Sequence, residues 1–73
     1  MQTSPVKLHD VVALLEDQPT ENLAAGRVGT VVEVHAPGVV EVEFLDAEGR
    51  TVALAEFRRE QLLVLKHDSA IVA

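Results

Sequence analysis

A chain of 73 residues is one small domain, and a domain of that size buries only about 60% of the surface its unfolded form exposes. It has no cysteine, so neither disulfides nor a thiolate zinc site supplement the core, which must come from valine, leucine and two phenylalanines. Twelve acidic against six basic residues give a net charge of −6, without the clustered positive surface that nucleic-acid binding requires.

Residues 1–5 read as a frayed end without the basic and apolar regions of a signal peptide, and no run approaches the roughly 20 apolar residues that cross a bilayer. With no cysteines, the expected location is the cytoplasm. Val6 to Leu15 admits two readings. Ser4-Pro5 suits the start of a helix that ends before Pro19, whereas Val11 to Leu15 suits a buried strand. The strand is preferred because the remaining elements are strands that need a partner.

Glu16 to Ala25 is polar, contains Pro19 and lacks an apolar period. It reads as a long loop suited to recognition, with Leu23 pinning it to the core. Arg27 to His35 is the second strand, and Gly26 and Gly29 at its start mark a bulge or sharp bend. Ala36-Pro37-Gly38 is a turn and Val39 to Leu45 the third strand. A three-residue loop there pairs His35 with Val39, Val34 with Val40, Glu33 with Glu41 and Val32 with Val42. The expected inner row is then Val32, Val34, Val40, Val42 and Phe44, and the outer row Val31, Glu33, His35, Glu41 and Glu43. Thr30 is expected inside.

A second three-residue loop, Ala47-Glu48-Gly49, with Gly49 at positive φ, pairs Phe44 with Val52 and Val42 with Leu54. The fourth strand then runs from about Arg50 to Glu56, with Val52 and Leu54 inside and Thr51, Ala53 and Ala55 outside. Phe57 to Gln61 breaks the alternation and reads as a 3₁₀ turn. Phe57 plugs the end of the barrel, and Leu62 to Lys66 is the fifth strand. The expectation is an all-β, five-stranded SH3-like small barrel over residues 6–66, with a 3₁₀ turn before the last strand and a tail over 67–73.

Four stretches carry a likeness: Leu8 to Leu14, Leu23 to Val34 with its Gly-x-x-Gly-Thr-Val-Val core, Glu41-Val42-Glu43-Phe44, and Gln61-Leu62. Over about residues 6–66 this pattern resembles an uncharacterised bacterial family of very small SH3-like proteins, a domain of unknown function. The resemblance implies the fold and no activity. Gly26 to Val34 also resembles the KOW motif, which implies a nucleic-acid-binding module as a further alternative. KOW modules meet RNA with basic and aromatic residues, however, and the matching surface here carries Glu33, Glu41 and Glu43. By analogy with small acidic bacterial proteins encoded beside toxin-like genes, an antitoxin or immunity-type partner of a co-encoded protein is the first alternative.

Glu33 opposite Glu41, with Glu43 diagonal, is the strongest local oddity, since like charges across a strand pair are destabilising. One reading is that Arg27, Arg50 or Arg59 leans in to screen the pair. The other is a docking patch for a basic protein, extended by Glu16, Asp17 and Glu21 of the long loop. His9-Asp10 and His67-Asp68 offer zinc or nickel ligands but occupy ordinary polar positions, so no metal or cofactor is expected. Neither is catalysis: there is no cysteine, Ser4 and Ser69 lie in tails, and nothing desolvates a carboxylate on an open face. Arg58 and Arg59 are expected to pair with Glu56, Glu60 or the carboxylate face. The chain therefore reads as a non-enzymatic protein-binding module. Nucleic acid and membrane are not expected partners. A homo-oligomer through an edge strand or Ile71-Val72 is compatible with it.

Overall fold

The computed structural model describes residues 6–65. Its elements are β1 (Val11–Leu14), a 3₁₀ turn (Pro19–Glu21), β2 (Val28–Ala36), β3 (Val39–Leu45), β4 (Thr51–Arg58), a second 3₁₀ turn (Arg59–Gln61) and β5 (Leu62–Val64). They form one antiparallel sheet in the order β4-β3-β2-β1-β5. The sheet is open, with β4 and β5 at its edges, so closure into a barrel is absent among the described residues. Residues 6–15 hold a strand and no helix, and no helix among the described residues is long and apolar enough to cross a membrane. Ile71, Val72, His67 and Asp68 lie outside the described residues.

Both ends of the sheet fold over one core: Val12, Leu14, Leu23, Val31, Val40, Val42, Phe44, Phe57 and Leu62, with Ala53, Ala55 and Val64 packed against it. Phe44 and Phe57 meet edge to face with ring centroids 6.0 Å apart, an arrangement that adds about 0.5–1.5 kcal/mol beyond the area buried. Leu23 is buried as expected. The Gln18–Leu23 bridge closes the loop around it, with backbone hydrogen bonds of 2.7 and 3.1 Å.

The predicted alternation holds on β3 and fails on both neighbours. Glu33 does face Glu41 and Val34 faces Val40, but Val31 rather than Val32 pairs with Val42, and Ala36 rather than His35 pairs with Val39. Val32 and His35 are extra residues, so β2 carries two bulges. An extra residue reverses which side of the strand follows it. Val31, expected outside, is therefore fully buried, whereas Val32 and Val34, expected inside, are exposed. Val34 opposes buried Val40 yet stays open to solvent.

The second hairpin turns as anticipated, with Gly49 at φ +83° and its N–H donating to the Asp46 carbonyl. The register departs one step later. Leu45 pairs with Thr51 but Phe44 with Ala53, leaving Val52 as an extra residue in β4. Val42 then faces Ala55 instead of Leu54. Val52 and Leu54 turn outward and are half exposed, while Ala53 and Ala55, expected outside, pack against the core. The bulge at Val52 is the reason: it shifts every later residue of β4 by one, which places the alanines on the side of Phe44 and Val42. Thr30 is also corrected. It lies on the ladders between Val11 and Glu43, neither of them a core residue.

Candidate binding face on the outer side of the sheet

The two bulges of β2 bracket the Glu33–Glu41 pair, and the bulge of β4 brings Glu56 opposite Glu41. Three glutamates thus stand side by side across β2, β3 and β4. The neighbouring row is Thr30, Glu43 and Leu54, and the Thr51 hydroxyl donates a hydrogen bond to the Glu43 carboxylate.

His35 is the side chain that meets this row. Its Nε2 lies 2.9 Å from Glu41 Oε1 and 3.3 Å from Glu56 Oε2, and Glu33, His35 and Glu41 each place a ligand atom within 4.8 Å of the others. Arg27 instead donates to the Leu45 carbonyl at 3.1 Å, and Arg50 faces Asp46 and Glu48 at 3.4 and 3.6 Å. Arg58 meets Glu60 at 3.9 Å, one of the pairings expected from the sequence, and Arg59 donates to the Leu62 carbonyl at 2.8 Å.

The hydrogen bond with Glu41 raises the His35 pKa above the ordinary imidazole value of about 6.5. The charges of Glu56, Glu33 and Glu41 act the same way, and partial burial opposes them. A raised folded-state pKa means that this pairing stabilises fully below the unfolded value and that its contribution is lost as pH rises through the folded value. Glu41→Gln is expected to move the His35 titration midpoint downward, which NMR of the imidazole resonances across the pH range reads directly. An unmoved midpoint would show that the contact is not formed in solution.

Glu16, Asp17 and Glu21 sit on the loop between β1 and β2, on a different element from the sheet carboxylates. Asp17 has an internal task, accepting the Ala25 N–H at 2.8 Å. The loop edges a shallow open depression lined by Asp17, Pro19, Asn22, Leu23 and Ala24. Asp10 likewise closes a local turn by accepting the Lys7 N–H at 2.9 Å.

Sequence reasoning placed Glu33, Glu41 and Glu43 correctly together and omitted Glu56 and His35 from the site. Glu56 carried a usable signal. The regular register aims it inward beside Val40 while aiming Phe57 outward, an inversion that a single bulge in β4 corrects.

Residues 8–64 match the family described as Domain of unknown function (DUF4926). The chain belongs to this family. The match runs from just before β1 to the end of β5, so the family's domain includes the whole sheet and its acidic face. No curated protein and no solved structure matches the chain.

Proposed function

We propose that this domain is a non-enzymatic, SH3-like docking module of the cytoplasm that receives a basic protein on its outer sheet face. The observation that carries the reading is the Glu33–Glu41–Glu56 row, with Glu43 beside it. Like charges on directly opposed strand positions cost stability in the free domain, and a cationic partner removes that cost on binding. The SH3-like reading is supported by the adjacency of the first and last strands, the long first loop and the 3₁₀ turn before β5. A phosphate backbone is a poor fit to the same carboxylates.

The test uses the chain as bait in lysate of its native host, beside a Glu33→Lys/Glu41→Lys variant. Wild type is expected to retain a basic protein that the variant loses, with recovery falling as ionic strength rises. Equal recovery by both baits removes the reading.

A further inference from the structure

We propose that His35, Glu33 and Glu41, with Glu56 beside them, form a binding site for one divalent transition-metal ion of the zinc or nickel type. This inference concerns the same face but does not rest on the docking reading.

The geometry supplies the argument. Zinc holds nitrogen and oxygen ligands at about 2.0–2.2 Å, so two ligand atoms of a tetrahedral site lie about 3.4 Å apart. Here His35 Nε2 stands 2.9 Å from Glu41 Oε1 and 3.3 Å from Glu56 Oε2. The ligand atoms of Glu33, His35 and Glu41 all fall within 4.8 Å of one another. These side chains are exposed or half-buried and can close on an ion from that spacing. The clustered ligands come from two adjacent hydrogen-bonded strands, so the ladder fixes the positions from which their side chains reach.

The imidazole sets the chemistry. Carboxylates alone suit calcium or magnesium, whereas a histidine nitrogen at the centre of the set selects borderline ions such as zinc and nickel. His35, the extra residue of the second β2 bulge, reaches that centre with its side chain. The row also lacks a strong fixed cation from Arg27, Arg50 or Arg58, which are committed to Leu45, Asp46 and Glu48, and Glu60. Proton and metal compete for one lone pair on Nε2, so uptake displaces the proton carried by the protonated fraction of His35.

The experiment is isothermal titration of the full chain with zinc chloride and nickel chloride at neutral pH, with magnesium chloride as contrast. A His9→Gln/His67→Gln background removes the other two histidines. Wild type and background are expected to bind one equivalent of zinc with affinities within about twofold, and magnesium to give no heat. Adding His35→Gln, an exposed change that leaves the circular dichroism spectrum intact, is expected to weaken zinc binding about tenfold or more, given that even outer-shell losses cost 10–100-fold. Absence of zinc uptake by wild type overturns the proposal. So does loss of binding in the background variant, or zinc affinity unchanged by His35→Gln. Charge-reversed bait that loses a protein partner while His35→Gln bait keeps it separates the docking face from the metal site.

Discussion

Phe44→Ala is expected to leave the domain largely unfolded at room temperature. Phe44 is fully buried at the centre of the core, opposite Ala53, and its ring packs edge to face on Phe57. Truncating a buried phenylalanine to alanine costs about 3–5 kcal/mol, from lost transfer energy and the cavity left behind. A single core in a domain this small rarely supplies more than about 3–5 kcal/mol in total. The loss is therefore comparable with the whole. The flanking alanines make matters worse, because Ala53 and Ala55 have no side chain long enough to collapse into the void. Far-UV circular dichroism during urea titration is the suitable readout, since the chain has no tryptophan or tyrosine. Phe44→Leu, which keeps most of the volume, is expected to retain a cooperative transition at lower urea. A Phe44→Ala midpoint close to wild type would mean that the core is organised around another residue.

Gly29→Ala carries the second large effect, for the opposite reason. A Cβ at Gly29 would stand 2.6 Å from Val42 Cγ1, 2.8 Å from the Glu43 carbonyl oxygen and 2.8 Å from Phe44 Cδ1. Side chains can rotate away from such a contact, but a carbonyl in a strand ladder cannot. β3 must then move away from β2 beside the Thr30–Glu43 pairing. Overpacking of this kind typically costs about 1–3 kcal/mol. The decisive comparison is the double variant Gly29→Ala/Val42→Ala. Removing the Val42 methyls relieves one collision of three, so any relief at Gly29 is outweighed by the cavity made at Val42. Thermal denaturation should place the double variant below Gly29→Ala alone. Full recovery to wild-type stability would show that Val42 was the sole obstacle.

The elements themselves were legible in the sequence, because turn residues and valine-rich runs delimit them well. β3 was read to the residue, since its glutamates alternate strictly with Val40, Val42 and Phe44. β2 and β4 were read to the right place with the wrong side inward in part. Val31-Val32 is a doublet in which alternation offers no preference, and in β4 the larger Leu54 looked like a better core residue than Ala53 or Ala55. Bulges decided both cases; those of β2 leave no compositional mark, whereas that of β4 left one in the inward placement of Glu56. The site followed suit. Glu33 opposite Glu41 survived because that pair lies in the one stretch where the predicted and observed registers coincide. Glu56 was missed because the Val52 bulge lies between it and the turn. His35 was placed on the right face, but its contact with Glu41 and Glu56 depends on side-chain reach that spacing does not encode.

The extra residue at Val32 has a meaning beyond local geometry. Were Val32 kept in a regular strand without the bulge, Glu33 would stand on the same side as Val31, two positions earlier and fully buried. The polarity of this surface is therefore a matter of parity: the odd residue absorbed by the bulge is what lets Val31 point in and Glu33 point out. Point substitutions in the row adjust the strength of the acidic face gradually. A single-codon deletion of Val32 would instead leave a regular ladder in which Glu33 directly follows Val31 and still meets Glu41, so the face would keep its orientation without the bulge.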